Sequence, residues 1–442
     1  MSTVRLLTFF IFAYTCFEGL VVNIMYPNVI AFIFKDFAIA LAYLMLMTSP
    51  HGSSGSMRRV SGPLVMFAVV MCLYLLLPSP VALIGQLVAV KQRLFYIPMA
   101  WVGYHFMRSQ EDLLDLVRVM AWMAIPASIF GIYLYFTGPI GLTLVGANYS
   151  AVIASTMGEH GVAFWRVPGT FTSPGQFGMF LMTNSVLFLG VLFHKATKRP
   201  QVLLTGVALV LVIGALLVSG SRSPLLLMVL CAVTVLMLTG RMKGVALWAG
   251  LLYGVLTLGF LYFGDGVKDR VGSIASFEHV ERFRDTYFGQ MFVPMLMQSP
   301  MGLGLGRATI GARHFTEWHN VMLVESYFAI IVAETGVMGL ATCMWAMGSV
   351  LMALRHCHAV MRRSADNVLW YCMVVLVMSI VAVLPVGTAI DAAPANVYLW
   401  TFLGIALKAY DMEVAGRSSQ FGGVSAGYAP PPAVPAYFQS WR

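Results

Sequence analysis

An all-α membrane protein with about twelve spanning helices is the fold class that this sequence predicts. Hydrophobic residues make up 59% of the chain and charged residues only 10%, whereas about 25% of the residues of an ordinary soluble domain are charged. Apolar runs long enough to cross roughly 30 Å of hydrocarbon recur from one end of the chain to the other. A water-soluble fold could not bury so many apolar side chains, so we expect one membrane domain.

Twelve apolar runs account for most of the chain. We expect spanning helices near residues 6–22, 29–47, 63–77, 93–107, 116–137, 175–193, 202–218, 223–239, 244–262, 321–353, 368–387 and 394–410. The stretch 319–354 is too long for one plain span, so its first part is expected to belong to the preceding loop or to the membrane edge. Gly336 and Gly339 are places where the path of the chain can change direction.

The formal charge of +9 is distributed over short basic turns between the apolar runs. With the N-terminus in the cytoplasm, all of these turns fall on the cytoplasmic side, as the positive-inside rule requires. Because the basic residues form no single patch, we expect no nucleic-acid partner. An even number of spans returns the C-terminus to the cytoplasm. The membrane domain is therefore expected to cover residues 1–415, and the Gly-, Ser- and Pro-rich residues 416–442 to form a disordered cytoplasmic tail.

The same orientation places three longer segments outside, at residues 78–92, 138–174 and 262–319. A loop at about residues 263–318 is long enough to form a small substructure containing short helices. Its stretch SFEHVERFRDTYF, at 276–288, combines a helix N-cap with charged and aromatic residues and predicts an amphipathic helix at the outer membrane surface. We expect the chemistry at this loop and at the helix ends around it.

Two arginines lie next to apolar runs on this outer side. Arg222, in VSGSRSP, precedes the run at 223–239, and Arg166 begins the irregular stretch RVPGTFTSPGQFGMF before the run at 175–193. A cation at that depth is costly unless an anion meets it, and the planar guanidinium suits the paired oxygens of a diphosphate. The alternatives are a snorkelling interfacial side chain for Arg222 and a loop arginine near lipid headgroups for Arg166.

Three further arginines of the large loop are candidates to bind the diphosphate or the glycan: Arg282, Arg284 and Arg307. Arg307 follows three alternating glycines in SPMGLGLGRATIGARH. No strand precedes this run and no nucleotide fingerprint follows it, so it predicts a compact turn with positive φ angles and not a phosphate-binding loop.

Glu325 and His319 are the candidate catalytic bases. Glu325 opens the apolar stretch ESYFAIIVAETGVMGL, where partial desolvation would raise its pKa toward the range that a general base needs. Its alternative role is a capping or interfacial carboxylate. His314, Glu317 and Glu334 are the other candidates for the base. No metal site is expected, because no HExxH or CxxC pattern occurs.

At these residues the sequence resembles the GT-C-like membrane glycosyltransferase superfamily of Wzy-type polysaccharide polymerases, WaaL-type O-antigen ligases and bacterial O-oligosaccharyltransferases. The matching segments are, in order, RVPGTFTSPGQFGMFLM, VSGSRSPLLL, the loop ending in SPMGLGLG, and the helix closing in ETGVMGL. They cover roughly residues 160–350. Their order along a polytopic chain is more specific than any one of them alone.

The resemblance implies transfer of an oligosaccharide from undecaprenyl diphosphate to an acceptor hydroxyl on the periplasmic face of the bacterial inner membrane, without a metal or other cofactor. Arg222 matches the arginine of the family's SR motif, and Arg166 matches the arginine before GTF. The expected partners are the undecaprenyl-diphosphate-linked glycan, membrane lipid, and chain-length regulator and flippase proteins.

The chain departs from the ligase pattern at one place. Ligases of the family usually carry a His-Asn pair about eleven positions before the glycine that is Gly336 here, and Glu325 stands at that distance, while His319 and Asn320 lie earlier. Either the helix has gained residues or a glutamate replaces the histidine. The second option favours a polymerase that joins lipid-linked repeats. The alternatives are an O-antigen ligase acting on lipid A core and a lipid-linked glycan flippase or transporter.

Overall fold

The computed structural model describes residues 3–25, 30–48, 55–143, 155–157, 163–194, 198–272, 292–309, 311–312, 322, 324, 326–364 and 367–421. Fifteen helices form most of this part of the chain. They are α1 Thr3–Met25, α2 Ile30–Thr48, α3 Arg58–Tyr74, α4 Leu83–Leu94, α5 Met99–Phe106, α6 Gln110–Thr143, α7 Pro174–Leu192, α8 Arg199–Val218, α9 Arg222–Leu238, α10 Met242–Phe263, α11 Asp265–Gly272, α12 Val293–Gln298, α13 Tyr327–Met361, α14 Val368–Val383 and α15 Ala395–Phe421. Two three-residue strands, β1 Ser155–Met157 and β2 Ala163–Trp165, pair antiparallel.

The predicted all-α class is confirmed. Six helices within the described residues are long and apolar enough to cross a membrane: α1, α6 as far as Gly138, α7, α8, α10 and α13. Helices α9 and α14 are apolar but shorter. The predicted count of about twelve spans is therefore not confirmed, although each predicted run coincides with helical residues. The run at 93–107 is interrupted, because a turn at residues 95–98 separates α4 from α5.

Apolar side chains cover much of the outside of the helix bundle. Met47, Leu76 and Leu261 are at least three-quarters exposed. Exposure of such side chains is unfavourable in water but not in the hydrocarbon of a membrane. The bundle is built around α7, whose residues are nearly all buried and which packs against α6, α8, α9 and α14. This pattern is that of a membrane protein, with an apolar surface around a close-packed centre.

A break in α13 divides it into a short buried segment and a long helix. Gly336 adopts φ 57° and ψ −151°, and a Cβ at this position would lie 2.0 Å from the Pro300 carbonyl oxygen. The break confirms the expected change of direction at this glycine. Backbone groups freed at such a break must be satisfied by other parts of the protein, and here the turn at 300–304 satisfies them.

The glycine-rich turn accepts and donates backbone hydrogen bonds at the break. The N–H of Val337 donates to the Pro300 carbonyl at 2.8 Å, and the N–H of Leu303 donates to the Ala333 carbonyl at 2.7 Å. Gly302, Gly304 and Gly306 all have positive φ, which confirms the predicted compact turn. A Cβ on Gly302 would lie 2.6 Å from the Glu334 backbone, so these glycines allow the turn to pack closely against α13.

Segments next to the basic turns contact one another at the end of the bundle that contains the start of α1. Arg5 pairs with Asp112 and Asp115 at the start of α6, and Asp411 of α15 accepts hydrogen bonds from Ser56 and Tyr104. The positive-inside pattern assigned these segments to one side. Their mutual contacts agree with that assignment.

Two predicted regions lie partly outside the described residues. The large loop is described as α11, α12 and the turn at 299–309, while the expected amphipathic helix at 276–288 is outside the described part of the chain. Helix α15 continues to Phe421, past the expected start of the tail at residue 416. Residues 422–442 are not described.

Candidate functional site

Arg166 and Arg222 are brought together at the end of the bundle opposite to the basic turns. The start of α9 is joined to the start of α7, because the Ser221 hydroxyl donates to the Pro174 carbonyl at 2.8 Å. Gly178 permits this contact, since a Cβ there would lie 2.8 Å from Ser221. Both guanidinium side chains are half-buried. The tertiary structure therefore places the two predicted arginines near each other.

The electrostatics of Arg166 show that the two charges lie within interaction range of each other. Burial first, and then the positive charge of Arg222, lower the pKa of Arg166 from its ordinary value. The Nε atom of Arg166 is buried and has no hydrogen-bond partner among the described residues. An anion with several oxygens would relieve the repulsion and accept these donors, and the N-termini of α7 and α9 add positive potential at the same end.

The segment that carries Arg166 is held by α1. The Thr170 hydroxyl donates to the Cys16 carbonyl at 2.6 Å, and the N–H of Leu20 donates to the Thr170 carbonyl at 3.0 Å. Gly169, with φ 57°, turns the chain between Arg166 and α7. The irregular stretch expected before the sixth span is thus a fixed turn, and it places Arg166 beside Arg222.

A buried ion pair lies at the same end of the bundle. The Nη2 atom of Arg93, near the end of α4, is 2.8 Å from the Oε2 atom of Glu334, and both side chains are fully buried. The Oε1 atom of Glu334 accepts hydrogen bonds from the N–H groups of Ala308 and Thr309 and from the Thr309 hydroxyl, at 2.7–2.9 Å. These contacts occupy the Glu334 carboxylate, so it is a structural anchor and a poor candidate for a general base.

Arg307 lies beside this anchor. It precedes Ala308 in the glycine-rich turn and is half-buried, and its Nε atom is buried without a hydrogen-bond partner among the described residues. The structure thus places Arg307 next to the Glu334 contacts. No contact with Arg166 or Arg222 is observed in the described part of the chain.

Asp391 is a second buried carboxylate near Arg93. It ends the short 3-10 helix Ala389–Asp391 between α14 and α15, which packs against α7 and α13. Its Oδ2 atom is buried and has no hydrogen-bond partner among the described residues. Burial raises the pKa of Asp391 to about 7, with the Arg93 charge opposing that rise and the Glu334 charge adding to it. A carboxyl group with this pKa can gain and lose a proton near neutral pH.

Sequence reasoning did not single out Arg93 or Asp391. Arg93 lies at the edge of an expected span and Asp391 between two spans, and ionisable residues in such places are functional suspects by default. The criterion of an ionisable residue at or between spans could therefore have identified both residues. It could not have predicted their proximity to Glu334, because the three residues lie on elements that are distant in the sequence.

Four of the seven predicted site residues lie outside the described residues: Glu325, His319, Arg282 and Arg284. Their predicted roles stay predictions. On either side of Glu325, Val324 and Ser326 are buried, and Val324 packs in a cluster with Ala308 of the glycine-rich turn. Within the described ranges, no group of three or more His, Cys, Asp or Glu side chains is arranged to hold a metal ion.

The chain matches no protein-family model, and a comparison with curated proteins found no match.

The pH dependence of stability tests the environment of Asp391. An aspartate of an unfolded chain ionises near pH 4, whereas Asp391 in the folded protein stays protonated up to about pH 7. Between these values the folded state binds more protons, so the stability contributed by Asp391 falls as pH rises from about 4 to about 7 and is constant above. Asp391→Asn cannot ionise, so its melting temperature relative to wild type should rise by about 5 °C over this range.

Thermal unfolding of both proteins in detergent at several pH values measures this difference. Asp265→Asn, which changes an exposed carboxylate, is the matched control and should follow the wild-type curve. A constant difference between Asp391→Asn and wild type across the whole range would contradict the raised pKa.

Proposed function

We propose that this protein is a polysaccharide polymerase of the bacterial cytoplasmic membrane that transfers undecaprenyl-diphosphate-linked oligosaccharide repeats to a sugar hydroxyl of another lipid-linked glycan. The observation that carries the proposal is the meeting of Arg166 and Arg222 at the starts of α7 and α9. Both belong to the segments on which the family resemblance rests. A site for a diphosphate needs two cations close together, and the proximity of Arg166 and Arg222 provides them.

The two guanidinium groups would bind the carrier diphosphate and stabilise it as the leaving group. Each planar fork can donate two parallel hydrogen bonds to phosphate oxygens, and both charges are permanent. Negative charge accumulates on the diphosphate as the glycosidic bond to the first sugar breaks. Cations already held in position for that charge lower the barrier without reorganisation. In this proposal Arg307, Arg282 and Arg284 bind the outer phosphate or the glycan.

A general base must take the proton from the acceptor hydroxyl as the new bond forms. Glu325 and His319 remain the candidates from the sequence, and the buried Val324, which precedes Glu325 in the sequence, packs in one cluster with Ala308 of the glycine-rich turn. Asp391 is a third candidate, because its pKa near 7 lets it accept a proton near neutral pH. In the polymerase, one of these groups faces the acceptor sugar and the arginine pair faces the donor.

The proposed orientation places the arginine pair on the periplasmic side. The basic turns lie at the opposite end of the bundle, where the positive-inside rule assigns them to the cytoplasm. Lipid-linked repeats would reach the site from the outer leaflet after a flippase delivers them. A chain-length regulator would act on the growing polymer.

A product ladder from purified protein tests the proposal. The protein in nanodiscs is incubated with one synthetic undecaprenyl-diphosphate-linked repeat, and the products are separated by size. A polymerase should form a ladder of multiples without metal or any other acceptor. A ligase would form product only after lipid A core is added. A flippase would form no new glycosidic bond under either condition. Either of these outcomes would overturn the polymerase proposal.

A further inference from the structure

A cavity of about 660 Å³ lies at the end of the bundle away from the arginine pair. Its walls come from the residues just after α5 and α7, the starts of α6 and α14, and the C-terminal ends of α13 and α15. Helix α14 has 16 residues and is therefore about 24 Å long. The cavity lies at the start of this helix, whereas Asp391 follows its end. The cavity therefore belongs to a separate place in the fold.

The inner wall of this cavity is apolar. Trp370, Met373 and Ile405 line it, and all three lie in the membrane domain on α14 and α15. A volume of this size falls within the range of pockets that hold small organic ligands. An apolar wall of this kind favours a ligand with a hydrocarbon part, since water in contact with it would lose hydrogen bonds.

The rim of the cavity is basic. Arg363 and Arg417 line it together with Glu413, and two arginines against one glutamate leave a net positive charge. Arg417 is held in place by Glu413, at 2.9 and 3.0 Å, and by the Val360 carbonyl at 3.1 Å. Arg363 is exposed at the opening. A ligand that satisfies both parts of the cavity is amphiphilic and anionic.

We propose that this cavity binds an anionic phospholipid of the surrounding membrane, with the phosphate at Arg363 and Arg417 and part of an acyl chain against Trp370. Two observations and one general rule point to lipid. The helices around the cavity belong to a bundle with an apolar outer surface. The rim lies at the end where the basic turns meet, which is the end that faces anionic headgroups. A basic pocket between helices at that level is the geometry that recognises such headgroups.

Binding is tested by thermal unfolding of the purified full chain with added lipid. Phosphatidylglycerol and phosphatidylcholine with the same acyl chains are compared, and inorganic phosphate is a third arm. We expect phosphatidylglycerol to raise the melting temperature in a saturable way, so that the concentration giving half of the rise can be measured. Phosphatidylcholine and free phosphate should have little effect. An equal rise with both lipids, or with phosphate alone, would overturn the proposal.

Two variants localise the effect to the cavity. Arg363→Gln removes one charge from the rim and should raise the phosphatidylglycerol concentration needed for half of the effect about tenfold, the loss expected for one charge-assisted hydrogen bond. Arg362→Gln is the matched control, because Arg362 is the exposed neighbour that does not line the cavity. If both variants lose the same amount, the lipid effect comes from general surface charge and the assigned site is wrong.

A third variant blocks the cavity without changing charge. Ala409→Trp places a large side chain on the cavity wall, where the half-buried Ala409 now lies. This variant should keep a cooperative melting transition in phosphatidylcholine and lose the additional rise with phosphatidylglycerol. An Ala409→Trp protein that responds to phosphatidylglycerol as wild type does would show that the lipid binds elsewhere.

Discussion

Replacing Arg222 with alanine is expected to reduce the rate of polymer formation by about 100- to 1,000-fold, the loss typical of removing one donor that stabilises transition-state charge. The purified variant should still enter the membrane and unfold cooperatively, because the half-buried side chain lies at a helix start and outside the packed centre. The same loss is expected for Arg166→Ala. The double variant should lose little more, since the two groups act on one diphosphate as a unit.

The lysine variants separate charge from geometry at the arginine pair. Arg222→Lys keeps the positive charge but loses the planar fork, so we expect it to recover only part of the activity. Arg118→Ala is the control, because Arg118 forms an exposed ion pair with Asp115 at the other end of the bundle, and such pairs contribute little. The measurement is the rate at which the product ladder forms from the lipid-linked repeat. Wild-type rates in Arg166→Ala and Arg222→Ala would remove the basis of the proposed function.

Replacing Glu334 with glutamine is expected to lower the free energy of unfolding by about 3–5 kcal/mol, because it removes the carboxylate that is paired directly with the buried Arg93. Both side chains of this pair are fully buried, so solvent cannot compensate for the lost partner. The glutamine keeps the size of the side chain. The loss of stability therefore comes from the removed charge and not from a cavity left by a smaller side chain.

A double variant tests whether the loss at Glu334 comes from the unpaired arginine. Arg93→Met together with Glu334→Gln removes both charges, and it should recover a substantial part of the stability that Glu334→Gln alone loses. Thermal or denaturant unfolding in detergent measures all of the variants. Asp115→Asn, which breaks the partly exposed contacts with Arg5 and Arg118, is the comparison and should cost much less. If Glu334→Gln is as stable as wild type, the pair does not anchor the break in α13.

The anchor also relates the stability of the fold to the geometry of the candidate site. Glu334 connects α13 to the glycine-rich turn through Ala308 and Thr309, and to α4 through Arg93. Asp391 lies within electrostatic range of the same arginine. The negative charge of Glu334 raises the pKa of Asp391, and the positive charge of Arg93 lowers it. Loss of the Glu334 charge should therefore lower the pKa of Asp391.

The helices and their approximate ends could be predicted from the sequence, because the length of an apolar run and the glycines and prolines at its ends are local properties. The α-helical class, the break at Gly336 and the turn at Gly302, Gly304 and Gly306 were all predictable in this way. The predicted number of membrane-spanning helices is not confirmed. Several apolar runs form helices that are short or interrupted, as at residues 95–98, and the apolar composition of a run does not specify such an interruption.

Arg166 and Arg222 could be singled out from the sequence, because a charged residue next to an apolar run is unusual wherever it occurs. That they meet at one site was decided by the tertiary structure, through the packing of the start of α9 against α7. The pairing of Arg93 with Glu334, and the position of Asp391 beside them, were likewise decided by the packing of α4, α13 and the turn before α15. Hydrophobic periodicity specifies which residues form a helix, but the energy of a buried charge depends on distances between elements far apart in the chain, and only the folded structure sets those distances.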